Sequence, residues 1–295
     1  MTEFMKTKSV VIDEILKSNR LPACPLVLTG LLRVLEDADA TITDLAKCLA
    51  FDQSITVRVL RIVNSAFFGL PRSMRNIEEA ALRLGFHEIW ALAVGTQMND
   101  MYKEAESVWA ATTESLWHHS LKVGILARLI ATRIPGCRAE DMFTAGIIHD
   151  VGKLALFSYD KVNYKRISAN GKLFGHELVQ EEINCWGIGH AELGGILLRQ
   201  WNIPESLAAA VDLHHDPQRD GNPGNLATVL AAADALAHAA KKNEVPERSG
   251  LFRLDFSDGL LTLQITEALK LDGPECLRLT TDGFKAFEEV VGAFQ

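Results

Sequence analysis

Apolar residues recur at three- and four-residue spacing along most of this chain, and that period constrains its fold more than any other feature. Leu116, Val123, Leu126, Ala127 and Ile130 form one stripe. Leu45, Leu49, Ile55, Val59 and Ile62 form another, interrupted near Asp52. Side chains at these offsets share one face of an α-helix and fall on both faces of a strand. No Asn-Gly or Asp-Gly turn joins two alternating β-branched runs, as a hairpin would require. Only Leu260–Ile265 has strand character. The expected fold class is all-α.

Glycine, proline and capping residues cut this pattern into short helices. Leu21-Pro22-Ala23-Cys24-Pro25 reads as an extended entry segment, because a residue before proline is biased away from the α region. Asp39 to Thr43 hold helix N-cap candidates, and Asn76 is another, with Gly85 ending the helix it starts. Gly69-Leu70-Pro71 stops a helix expected to end near Phe68. Further breaks are expected at Pro135-Gly136, Gly152, Gly171, Gly187 to Gly189 and Pro204, and a loop over Gln218–Gly224. The polar stretch Asp100–Ser107 marks a boundary. These signals predict an N-terminal helical extension over 1–20, a helical lobe over 21–110, a second helical domain over 111–245 and an appended helical or mixed segment over 246–295.

Composition narrows the function classes. The 295 residues are 48% hydrophobic and 23% charged, an ordinary globular balance that argues against wholesale disorder. The net charge of −8 lacks the basic excess of a general nucleic-acid binder, so no nucleic-acid partner is expected. No apolar run approaches the ~18 residues of a membrane span. Met1–Lys8 has no apolar core behind its charges, unlike a signal peptide. The five cysteines (Cys24, Cys48, Cys137, Cys185, Cys276) form no CxxC pair and read as small, buried, reduced thiols of a cytoplasmic protein.

The histidines carry the chemical signal. Eight of the nine lie between 118 and 238. His119 shares a helix face with Val123, Leu126, Ala127 and Ile130, so it points inward and needs a metal or a carbonyl as partner. His118 lies with Lys122 on a more exposed side. Ala145–Ile148 run as an apolar helix into His149-Asp150, then Gly152 and Lys153. That dipeptide offers one nitrogen and two oxygen donors, or else a helix C-cap with a surface Asp150–Lys153 ion pair. His190 opens a helix after Gly187-Ile188-Gly189, and His214-His215 precede Asp216-Pro217. Asp234 sits among alanines and leucines, where an unpaired carboxylate would be expensive. Five imidazoles (His119, His149, His190, His214, His215) and two carboxylates (Asp150, Asp234) thus fall at helix ends or on apolar faces. Mixed N/O donors suit two divalent transition-metal ions, Fe, Mn, Zn or Ni, sharing Asp150. The plainer alternative is that these histidines satisfy one another and backbone carbonyls inside a helical core.

At these residues the chain resembles the HD superfamily, an all-α fold of metal-dependent phosphohydrolases. Its His … His-Asp … Asp pattern falls on His119, His149-Asp150 and Asp234. Three further histidines of the HD-GYP phosphodiesterase branch match His190, His214 and His215, and its lysine matches Lys153. A narrower resemblance, to the HDOD (HD-related output domain) family, covers roughly residues 20–217. Its marks are Leu21-Pro22 with Pro25, Asp52 with Val59-Leu60, Asn64-Ser65-Ala66-Phe67, Ala80 with Leu84-Gly85, Trp117 with His119-Ser120, Trp201 with Pro204, and His214-His215 with Pro217. The resemblance implies a two-lobed helical fold and a bacterial signal-transduction output module acting mainly through protein or ligand binding. Its expected partners are signalling proteins and a phosphorylated small molecule. The alternative it implies is a metal-dependent phosphohydrolase, on a cyclic dinucleotide or nucleotide, with Asp150 and Lys153 at the chemistry. The chain departs from HD-GYP in lacking a Gly-Tyr-Pro triplet after His214-His215. It also carries Ser115 where some trinuclear members have a glutamate.

Overall fold

The computed structural model describes residues 7–17, 26–37, 39–109, 116–168, 175–219, 225–241 and 263–294. Six helices lead the chain: α1 (Lys8–Lys17), α2 (Leu26–Glu36), α3 (Ile42–Ala50), α4 (Gln53–Val63), α5 (Ile77–Leu84) and α6 (Phe86–Trp109). Ten follow: α7 (Leu116–Ala131), α8 (Ala139–Ile148), α9 (Val151–Tyr159), α10 (Lys161–Ser168), α11 (Gly175–Trp186), α12 (His190–Gln200), α13 (Glu205–Leu213), α14 (Leu226–Lys241), α15 (Leu263–Leu269) and α16 (Gly273–Val290). No strand occurs among the described residues. The fold is all-α and two-lobed.

The helix ends follow local chemistry. Thr41 and Asp44 form a reciprocal capping box on α3, each accepting the other's backbone N–H. The Asp52 carboxylate accepts from Ser54 N and Ile55 N at the start of α4, which explains the break in the second apolar stripe. Asn76 caps α5 through Glu79 N at 2.7 Å, and Gly85 ends it at φ 96°. Gly69, in the left-handed region at φ 54°, closes a short 3₁₀ turn over Ala66–Phe68, while α4 has already stopped at Val63. The Asn64 side chain binds both the N–H and the carbonyl of Met74, at 2.7 and 3.0 Å, and pins the segment before α5.

Several expectations are corrected here. Asp100–Ser107 is the polar end of α6, which runs unbroken to Trp109. The break expected at Gly152 falls at His149-Asp150, between α8 and α9, and Gly152 itself lies in the first turn of α9. Leu263–Ile265, the described part of the strand-like stretch, is helical in α15. The entry segment 21–25, Gly171 and the loop centre 220–224 fall outside the described residues, as do 246–262.

One contiguous apolar cluster runs from Val11 to Phe294. Helix α6 packs on α4 and α5 on one side and on α8 on the other. The last helix, α16, lies along α7, and Phe294 reaches Trp117 with ring centroids 5.0 Å apart. The Phe294 carbonyl accepts a hydrogen bond from the Asn99 side chain at 2.7 Å. Residues 273–294 are therefore part of the core that backs α7. Between the lobes, Glu88 of α6 is buried and paired with Arg128 of α7 at 2.6 Å, and the Arg128 guanidinium lies over Phe67 and Phe68. Among the described residues no helix is long and apolar enough to cross a membrane.

Candidate metal centre

Two close helix crossings build the site. Helices α7 and α8 cross at Gly124 and Gly146, where a Cβ on Gly146 would collide with the Gly124 backbone. The crossing sets His119, in the first turn of α7, against His149 at the end of α8, with ring centroids 5.3 Å apart. Helix α9 then crosses α12 at Gly152, where a Cβ would collide with the His190 carbonyl. That contact places Asp150, just before α9, beside His190 at the start of α12. The end of α13 supplies His214 and the next residue is His215; α14 supplies Asp234. The seven residues singled out from the sequence thus meet in one place.

The Asp150 carboxylate is central. Its Oδ1 lies 3.4 Å from His190 Nε2, and its Oδ2 lies 3.4 Å from His149 Nε2 and 3.9 Å from His119 Nε2. Asp234 Oδ1 is 3.0 Å from His119 Nε2 and 3.9 Å from His149 Nε2. On the other side, His215 Nε2 is 3.1 Å from His190 Nε2, and the rings of His214 and His215 are 4.0 Å apart. The Lys153 ammonium donates to Asp150 Oδ2 at 2.7 Å. This ion pair lines the buried cluster and is not the surface pair that the sequence left open. His118 faces the opposite way, 5.6 Å from the Phe287 ring on α16.

The outer ring nitrogens are committed elsewhere. His149 Nδ1 donates to the Gly146 carbonyl at 2.7 Å and His214 Nδ1 to the Val211 carbonyl at 2.6 Å. A carbonyl only accepts, so the proton sits on Nδ1 and the Nε2 lone pair faces inward. His190 Nδ1 donates to Glu182 Oε2 at 2.7 Å, and the same oxygen accepts the His190 backbone N–H. Tyr164 donates its hydroxyl to the other oxygen of Glu182 at 3.1 Å. This is the carboxylate–imidazole support usual behind a metal ligand.

Inside, the plainer reading accounts for part of the cluster: His190 and His215 meet through their Nε2 atoms, and His119 Nε2 lies 3.0 Å from Asp234 Oδ1. The Nε2 atoms of His119, His149 and His214, with Asp150 Oδ1 and Asp234 Oδ1, are buried and have no hydrogen-bond partner. Each such atom costs about 1–3 kcal/mol unless something satisfies it. These inward lone-pair donors, divided between neighbouring groups, could hold cations. Among the described residues, three groups have ligand atoms within 4.8 Å of one another: His119, His149 and Asp150; His190, His214 and His215; and His119, Asp234 and His238.

Electrostatics agree. Burial pushes the Asp150 carboxyl up, but His149, Lys153, His190 and His119 together hold it well below the usual carboxylate range. Burial likewise opposes ionisation of Asp234, and the imidazoles of His238, His119 and His149 outweigh it. Burial, reinforced by His149 and His190, brings His214 down to about 3. Burial also lowers His149, and it lowers His215 strongly with help from His214 and His190. Lowered carboxyls, and the lowered imidazoles of His149, His214 and His215, favour the proton-free forms that bind metal.

Two contributors escaped the sequence reading. His238 follows Asp234 by one helical turn, and its Nε2 lies 3.4 Å from Asp234 Oδ1. That i, i+4 spacing was a usable signal. Glu182 is brought to His190 by the packing of α11 on α12, and no local pattern announces it.

Comparison with known proteins places these features in context. The HDOD domain pattern matches residues 21–217. An uncharacterized protein of Treponema pallidum (strain Nichols) is 25% identical over 220 residues, covering 73% of this chain and 41% of that protein. The chain thus spans about two fifths of that relative's length. A candidate phosphohydrolase from Shewanella amazonensis superposes with a TM-score of 0.67 at 24% identity, covering 96% of this chain and 98% of the other. A candidate signal-transduction protein from Marinobacter aquaeolei gives 0.70 at 17% identity, covering 99% of this chain and 61% of the other. At these identities the two structures speak for the fold alone.

Proposed function

The chain belongs to the HDOD family, and from that premise we propose that it is a bacterial signalling module whose second lobe holds two divalent transition-metal ions and binds a phosphorylated small molecule over them. One observation carries the reading. The two oxygens of Asp150 face different donor groups, Oδ1 toward His190 and Oδ2 toward His119 and His149. A carboxylate so placed can serve two cations. The first would rest on His119, His149, Asp150 and Asp234, the second on Asp150, His190, His214 and His215. Fe, Mn, Zn and Ni all suit such mixed nitrogen and oxygen donors.

Bound cations would supply Lewis acidity toward a phosphoryl oxygen. The chain's own residues do the rest. Glu182 fixes the His190 ring, and the Gly146 and Val211 carbonyls fix those of His149 and His214. Lys153, with a side chain 12% exposed beside Asp150, offers a positive charge to an anionic oxygen at the rim. The first lobe and its signalling-protein partners belong to the same proposal, as does a cytoplasmic setting. The net charge of −8 supports the expectation of no nucleic-acid partner.

A second reading, phosphodiester hydrolysis, is favoured by the same shared carboxylate, because paired cations clamp both oxygens of a displacement. The test is turnover of bis(p-nitrophenyl) phosphate by protein loaded with Mn²⁺ or Fe²⁺, beside His149→Ala and Asp150→Ala. Turnover lost in both variants supports hydrolysis. Turnover that survives both sinks it. Saturable phosphate binding without turnover leaves the ligand-binding module, and no metal-dependent phosphate binding at all contradicts the first reading.

A further inference from the structure

We propose that His238 is a fifth protein donor to the cation on His119, His149, Asp150 and Asp234, a role that the His … His-Asp … Asp pattern does not contain. The inference rests on the metal-centre reading above. Two of the three candidate donor groups meet at His119, one through His149 and Asp150 and the other through Asp234 and His238. An imidazole nitrogen has one lone pair, so His119 Nε2 serves one cation only. On this proposal the two groups form one set around one ion, with His119 at the shared corner.

The spacing agrees. Donors about 2.1 Å from an ion stand about 3 Å apart when adjacent and about 4.2 Å apart when opposite. Asp234 Oδ1 lies 3.0 Å from His119 Nε2, 3.4 Å from His238 Nε2 and 3.9 Å from His149 Nε2. Helix geometry explains the placement. Residues 234 and 238 lie one turn apart on α14, so their side chains project from the same face, and the His238 ring lies 4.5 Å from that of His119. The neighbouring Ala231, Ala235 and Ala237 are buried and carry no donor, so Asp234 and His238 supply the ligand atoms of this stretch.

Five protein donors have a chemical consequence. They exceed the four of a structural zinc site and call for a five- or six-coordinate ion such as Fe, Mn, Ni or Co. The second group, His190, His214, His215 and Asp150 Oδ1, offers four donors and keeps more of its ion's coordination positions open. An incoming phosphoryl oxygen should therefore meet the second ion more readily than the first.

The experiment uses the full chain, stripped of metal and reloaded with cobalt(II). It reads stoichiometry by mass spectrometry, affinity by chelator competition, and the visible cobalt absorption. For His238→Ala, both ions should still bind at saturation. One class should weaken by at least about tenfold, the lower end of what losing even an outer-shell partner costs. Its absorption band should shift, and added imidazole should restore the band. His238→Gln should show the same weakening, with metal-free melting close to wild type, which separates ligation from folding. Wild-type affinity and spectrum in both variants would overturn the inference alone. Weakening with an unchanged spectrum and no response to imidazole would also overturn it, assigning His238 a structural role. Wild-type protein that takes up no cobalt would overturn both this inference and the metal centre.

Discussion

The inner ring nitrogens of His149, His190 and His214 are each aimed by the hydrogen bond that the other nitrogen of the ring makes. Glu182 is the clearest case, since one of its oxygens accepts both the ring and the backbone N–H of His190. Replacing Glu182 with alanine leaves those donors and the Tyr164 hydroxyl unpaired in a buried place. The expected loss is about 1–3 kcal/mol of stability and about 10- to 100-fold in metal affinity. Denaturant titration and chelator competition check the two separately. The lowered histidines also set a pH dependence for the metal-free protein. His214 titrates at about 3 in the folded state, against about 6.5 for an unfolded histidine. Below about pH 6.5 the unfolded chain therefore binds protons that the folded one refuses, and stability falls from there toward pH 3. Melting temperatures of metal-free protein should decline between about pH 7 and 5, and His214→Gln should flatten that decline. A profile already flat in the wild type would contradict the assignment. At this scale much of the candidate site was legible, because imidazoles and carboxylates stand out against apolar helices. Glu182 was not, since only tertiary packing links it to His190.

At the scale of elements, the crossings at Gly124–Gly146 and Gly152–His190 decide where the donors stand. Sequence reasoning saw Gly152 as a break. A glycine needed for close approach and one needed for a turn look identical until the neighbouring helix is known. Gly152→Ala drives a methyl into the His190 carbonyl and should cost about 1–3 kcal/mol as overpacking does, while displacing His190 from Asp150. Gly273→Ala is the control, because nothing lies near its Cβ position. Thermal melts of the two, with metal retention, test the point, and equal stabilities would refute it. The helix caps at Thr41 and Asn76 were legible because capping depends on residues three or four apart, whereas Asp52 showed only as an interruption of the apolar stripe. The helical Leu263–Ile265 was not, since a short apolar run takes whichever form its surroundings favour.

At the scale of the whole molecule, one core joins the two lobes, and Arg128 is a principal tie between them. It satisfies Glu88 and covers Phe67 and Phe68. Arg128→Ala strands a buried carboxylate and should destabilise by about 3–5 kcal/mol. The account expects Arg128→Ala, Glu88→Gln to recover part of that loss, measured by equilibrium unfolding; a double variant as unstable as Arg128→Ala would contradict it. The place of α16 on α7 was not legible, because an amphipathic helix does not declare which neighbour it covers. The central claim is that Asp150 joins two cation sites. Metal content of tag-free protein, wild type beside Asp150→Ala, tests it most directly after both are offered the same transition metal. About two equivalents are expected in the wild type, as a shared carboxylate implies, with metal lost in the variant. A wild type that holds no more metal than Asp150→Ala would contradict it.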